Sequence, residues 1–204
     1  MMSRGFLPLL TIIAAAGIAA LAWETDGFRV ATSAGARQLS IERNPVHLPD
    51  ARLVDQDGHV FSLSSYRGRP VLVDFIYTGC PTLCGVLGDD FHRVLEGVKG
   101  TGADAADLLS ISFDPGNDDR DALRLYGDRY GAKAPRWRIA RPADERSLAE
   151  LLQSFGVVVI PDGKGGFIHN SAVYLVDAQG RLARILDPDS PPQLFESALR
   201  TSSP

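Results

Sequence analysis

Pro70-Val71-Leu72-Val73-Asp74-Phe75-Ile76-Tyr77 runs directly into Thr78-Gly79-Cys80-Pro81-Thr82-Leu83-Cys84. The first eight residues form a short, mainly apolar run rich in β-branched and aromatic side chains. They read as a buried central strand. From Leu83 to Val98 the apolar positions Leu83, Leu87, Phe91, Val94, Leu95 and Val98 recur at near-helical spacing. The chain is therefore expected to leave a central strand, pass through a loop holding both cysteines, and enter a helix.

The same alternation extends downstream. Asp107 to Phe113 reads as a strand, and Asp114-Pro115-Gly116-Asn117-Asp118 as a turn with helix-capping chemistry. Asp119 to Tyr130 reads as a helix, Trp137 to Ala140 as a short strand and Asp144 to Phe155 as a helix. Phe167 to Asp177 and Leu182 to Leu186 read as strands of a hairpin around Ala178-Gln179-Gly180. Pro191 or Pro192 opens a last helix to about Arg200. Upstream, Arg52 to Phe61 is a hairpin around Asp57-Gly58, and Leu63 to Arg69 a turn. Alternating strands and helices predict an α/β domain, with helices on both faces of a central sheet to which the hairpins add antiparallel strands. In such sheets ligand chemistry gathers at the C-terminal ends of central strands, where the cysteines lie.

Composition narrows the function. The chain has 204 residues, 21 Lys+Arg against 25 Asp+Glu, and a net charge of −4. No basic stripe stands out, which argues against nucleic acid as a partner. Gly5 to Trp23 carries no charge, follows Arg4 and is ended by Glu24 and Asp26. This predicts a membrane anchor over 1–23 with its N-terminus in the cytoplasm. A spacer over 24–47 and a folded domain over 48–204 on the periplasmic side of the inner membrane would follow. The alternative is a cleaved signal peptide, for which Ala20-Leu21-Ala22 offers a small-x-small site and which leaves a soluble periplasmic protein.

Export changes the meaning of the cysteines. Outside the cytoplasm a neighbouring thiol pair oxidises unless a reductant or a metal holds it. A disulfide closing so short a loop stabilises a fold little. At the start of a helix the unpaired N–H groups favour thiolates, and an i, i+4 spacing brings two sulfurs to one side. Cys80 and Cys84 thus read as a redox pair or as two arms of a metal site. Zinc normally takes four ligands, whereas Cu(I) accepts sulfur and imidazole at low coordination number. Of the four histidines, His47, His59 and His92 read as surface residues. His169 follows the glycine-rich loop Asp162-Gly163-Lys164-Gly165-Gly166, which could lay its imidazole over the cysteine loop. Phe75 and Tyr77 read as sheet core.

Three segments together resemble the SCO/SenC copper-chaperone family. Phe75 to Cys84 is similar to its Cys-x-x-x-Cys signature. Ser112-Phe113-Asp114-Pro115-Gly116-Asn117-Asp118 resembles its Asp-Pro-x-x-Asp segment, and His169 stands at the family's interval ahead of Tyr174-Leu175-Val176-Asp177. The resemblance covers about Leu48 to Leu199. It implies a thioredoxin-like fold with a central mixed sheet, an N-terminal hairpin and an inserted hairpin. It implies copper bound by Cys80, Cys84 and His169, and delivery of copper or reducing equivalents to the binuclear copper centre of cytochrome c oxidase subunit II or another acceptor. Two positions depart from the family pattern: Gly85 stands where a proline often follows the second cysteine, and Thr82 where an acidic residue often lies between the two. Asp114 and Asp118 are candidates to orient His169 or meet a partner, with helix capping as the alternative. The rival function on the same fold is a thiol-disulfide oxidoreductase using Cys80 and Cys84, with a peroxidase or a merely structural disulfide as further alternatives. As a metallochaperone the protein need not be an enzyme.

Overall fold

The computed structural model describes residues 6–24, 33–80, 91–92, 106–187, 190 and 197–198. The chain divides into two compact units, Met1–Arg43 and Asn44–Pro204. The first holds α1 (Phe6–Glu24) and α2 (Ser33–Arg43). In α1, Ile12, Ile13, Ile18 and Trp23 are all exposed. At 1.5 Å per residue this helix is roughly 28 Å long, against roughly 30 Å of bilayer hydrocarbon. Among the described residues, no helix is long and apolar enough to cross a membrane. Helix α2 occupies part of the segment expected to be an irregular spacer. Ala34, Ala36, Arg37, Gln38, Leu39, Glu42 and Arg43 are good helix formers, but the helix is short and mostly polar and so leaves little periodicity to read.

The second unit is built on an eight-stranded sheet among the described residues. Its order is β1 (Val46–His47), β10 (Arg181–Leu186), β9 (Val173–Val176), β4 (Val71–Ile76), β5 (Asp107–Ser112), β6 (Trp137–Pro142), β2 (Arg52–Asp55) and β3 (Val60–Ser62). Strands β4, β5 and β6 are parallel, and every other pairing in this sheet is antiparallel. All six residues of β4 and all six of β5 are buried, as parallel strands covered on both faces must be.

Alternation along β4 separates two faces. On one, Phe75 meets Phe155 at 5.2 Å and Tyr174 at 5.9 Å, tying β4 and β9 to α4 (Glu145–Phe155). Elsewhere in the core, Trp137 packs on Phe91 at 5.8 Å. Helix α3 (Arg120–Tyr130) lies against β6, where Gly127 leaves room for Ile139. It starts at Asp119, whose carboxylate accepts the Ala122 N–H at 2.9 Å, and ends at Gly131 with φ +74°. Asp119→Ala removes this cap and is expected to lower stability by about 1 kcal/mol, read as a shift in the urea midpoint with an unchanged slope.

The strand expected over 167–177 is in fact two. Phe167–His169 (β8) pairs antiparallel with Val159–Pro161 (β7) in a separate two-stranded sheet, while Val173–Val176 stays in the main sheet. No strand is expected at 159–161 from the sequence reading. The division falls at Asn170, whose amide donates to the Gly156 carbonyl at 3.0 Å and accepts the Val158 N–H at 2.7 Å. These bonds fasten the chain to the segment leading into β7, away from the main sheet. The glycine-rich loop 162–166 is the tip of this hairpin. Within the expected helix at 83–98, Phe91 and His92 are helical, as are Ser197 and Ala198 within the expected last helix. The remainder of both helices lies outside the described residues.

Candidate metal centre

Strand β4 ends at Ile76, and the chain turns at once: the Cys80 N–H donates to the Tyr77 carbonyl at 3.2 Å. The corner is held from the neighbouring strand end. Thr78 donates its N–H to both oxygens of Asp118, at 3.0 and 3.2 Å, and its hydroxyl to one of them. The Ser112 hydroxyl donates to the same carboxylate. Asp118 is only 1% exposed, so its charge is stabilised by these neutral donors instead of by water. Cys80 is half-buried. Cys84, Thr82 and Gly85 lie outside the described residues.

His169 approaches from β8. Its ring lies 4.9 Å from Phe113 and 6.3 Å from Tyr77, and Phe167, two residues earlier on the same strand face, packs on both. Nδ1 of His169 is 3.2 Å from the Asn170 carbonyl. The Ser171 hydroxyl lies 3.5 Å from the same nitrogen. A carbonyl can only accept, so in the tautomer that donates Nδ1–H to Asn170 the lone pair is on Nε2. The hairpin tip is set by Asp162, which accepts the N–H groups of Lys164 and Gly166 at 2.7 and 2.9 Å. Those bonds hold its carboxyl below the usual range. A Cβ at Gly166 would come within 2.8 Å of Asp162 Oδ2 and 3.5 Å of the Tyr77 hydroxyl, so glycine lets the tip close onto Tyr77.

Tyr77 thus joins the two described ligand candidates, its carbonyl bonded to the Cys80 backbone and its ring against His169. Phe75 is core, as expected, but Tyr77 also walls the site. A soft thiol and an imidazole suit copper. Asp114 accepts the side-chain amide of Asn117 at 2.9 and 3.1 Å and so organises the turn 114–118. Neither Asp114 nor Asp118 is among the described partners of His169, and the cap of α3 is Asp119. His92 is exposed and bonded to the Tyr130 carbonyl at 3.0 Å. His59 lies beside Asp55 and Asp57 in the β2–β3 turn, where Asp55 accepts the N–H groups of Asp57 and His59. Sequence reasoning passed over Thr78, Ser112 and Phe113. The usable signal was the hydroxyl of Thr78 in the cysteine loop and that of Ser112 at the end of the adjacent strand.

Asp74 lies on β4, six residues before Cys80, opposite Ser110 in register and fully buried. Among the described residues neither carboxyl oxygen has a full hydrogen bond, and the Ser110 hydroxyl accepts from Trp137 Nε1 at 3.1 Å. Burial pushes the Asp74 carboxyl up to about 7, with a weaker opposing pull from Ser110.

The SCO1/SenC family profile matches residues 43–202. The SCO1 protein homolog of Bacillus subtilis is 30% identical over 132 residues, covering 64% of this chain and 68% of the relative. Among solved structures, copper-bound ScoI of Bradyrhizobium japonicum superposes with a TM-score of 0.64 at 25% identity, over 77% of this chain and 99% of that one. BsSco, described with a disulfide switch and as a member of the Sco family of cytochrome c oxidase assembly proteins, gives 0.69 at 25% identity, over 78% and 95%. The mixed sheet flanked by helices is the thioredoxin-like architecture of these Sco proteins. Its match across most of the sequence places this chain in the SCO1/SenC family, whose metal is copper.

Proposed function

We propose that this protein is a membrane-tethered copper chaperone. Copper is its cargo, held by the thiolates of Cys80 and Cys84 and by Nε2 of His169. It is passed by ligand exchange to the binuclear copper centre of cytochrome c oxidase subunit II. The observation that carries this reading is the bracing of His169, from the β7–β8 hairpin, against the residue that begins the Cys80 turn. A plain dithiol exchanger has no need of a histidine held there. Residues 48–204 carry the function, and the apolar segment 1–23 tethers them to the inner membrane on the periplasmic side. The exposed isoleucines of α1 support a non-aqueous setting for that segment. Titration of the reduced protein with Cu(I), against a chelator of known affinity, is expected to saturate at one copper per chain. Failure of the reduced wild-type protein to bind stoichiometric copper overturns the proposal.

A second reading is favoured by the disulfide switch described for BsSco. Here Cys80 and Cys84 act as a thiol-disulfide pair that reduces the acceptor's cysteines. The two activities are compatible, because only reduced thiols bind copper. The reduction potential of the pair and its rate of exchange with an acceptor peptide separate reductant from carrier.

A further inference from the structure

We infer that Asp118 is a positioning residue for Cys80. This rests on the proposed copper site and deepens it, since it names what holds the first ligand in place. Beyond Ile76 the sheet no longer fixes β4, and the turn 77–80 is left to other bonds. Its internal bond runs from the Cys80 N–H to the Tyr77 carbonyl at 3.2 Å. Outside the turn, the Tyr77 ring packs on Phe113 and Phe167, and among the described hydrogen bonds Asp118 receives both the N–H and the hydroxyl of Thr78, two residues before Cys80. Asp118 is itself held from two directions. The Ser112 hydroxyl donates to its carboxylate, and its own N–H donates to the Asp114 carbonyl at 2.9 Å. The next residue, Asp119, caps α3. A chain of bonds therefore leads from the end of β5 and the start of α3 to the thiol corner.

The chemistry of the carboxylate suits this role. A buried carboxylate whose described donors are all neutral is costly to leave unpaired, so it resists release of Thr78. It fixes backbone and hydroxyl together, which sets the direction in which the turn leaves the strand. Asp114 serves the same turn from its exposed side, through Asn117, and makes no bond to residues 77–80 among the described contacts.

The experiment uses the full-length protein, Asp118→Asn and Thr78→Val, with Asp114→Asn as a control. An asparagine must point an N–H₂ group at one of three donors, and valine removes the Thr78 hydroxyl while keeping the branched shape. Two readouts are taken on folded protein: Cu(I) affinity by chelator competition, and the rate of Cys80 alkylation by iodoacetamide in a Cys84→Ser background. Asp118→Asn is expected to weaken copper binding about tenfold or more, and Thr78→Val by about threefold. Both are expected to speed alkylation of Cys80, and Asp114→Asn to leave both readouts near wild type. Wild-type affinity and alkylation rate in Asp118→Asn overturn the inference. If that variant does not fold, wild-type values in Thr78→Val overturn it. The alkylation arm needs no copper, so absence of copper binding in the wild type defeats the proposed function without deciding the role of Asp118.

Discussion

His169→Ala is expected to weaken Cu(I) binding about a hundredfold or more while leaving the fold intact. Two thiolates four residues apart can hold a Cu(I) ion, but a third donor raises affinity and stabilises the site against exchange with small thiols. The imidazole comes from the β7–β8 hairpin, braced by Phe113 and Tyr77 and oriented through Nδ1 by the Asn170 carbonyl. Alanine removes the ligand and leaves those aromatic contacts largely to Phe167, which already packs on both rings. Thermal unfolding should therefore shift little while affinity collapses. His59→Ala, in the exposed β2–β3 turn, serves as the control and should bind as wild type. Cys80→Ser is expected to lose copper altogether. Wild-type affinity in His169→Ala would show that the thiols act alone, and the exchange reading would then take precedence.

The central strand, its parallel neighbours and the two capped helices were legible because each has an unmistakable local signal. Val71 to Ile76 is a short, mainly apolar run, and the helices expected to begin at Asp119 and Asp144 do begin there, those two residues being their N-caps. What escaped was set by tertiary contacts. Val159–Pro161 and Phe167–His169 are three-residue strands that pair only with each other, too short for alternation to register. Asn170 divides the strand expected over 167–177 by bonds that no periodicity announces. The role of Asp118 was hidden for a similar reason. The turn Asp114-Pro115-Gly116-Asn117-Asp118 suggested helix capping for Asp114 or Asp118, but Asp119 took the cap and freed Asp118 to reach 40 residues back to Thr78. Sequence spacing supplied the candidates, and the spatial neighbours of β4 sorted them.

Asp74→Asn is expected to make the protein more stable than wild type at pH 8 and to flatten its stability profile below that. The folded-state carboxyl is raised from its ordinary 3.8 to about 7, because a fully buried oxygen pair without full hydrogen bonds disfavours charge. Between these two values the unfolded chain has released the proton and the folded chain still holds it. Stability therefore falls as pH rises from about 4 to about 7, and is level beyond. A shift of this size corresponds to about 4 kcal/mol as an upper limit, since water entry and local rearrangement relieve part of it. Asparagine matches the shape and has no charge to bury, so its profile lacks this slope. Asp107 is also raised, by burial that outweighs Arg69 and Arg136, and its slope is common to both proteins. The difference between the two profiles isolates Asp74. Urea unfolding of both proteins from pH 4.5 to 8 should give curves that meet at the acid end and diverge by several kcal/mol at the alkaline end. Parallel curves would mean that Asp74 is already ionised and solvated in the folded protein. Diverging curves would mean that the strand leading to Cys80 carries a carboxyl whose presence lowers stability at neutral pH.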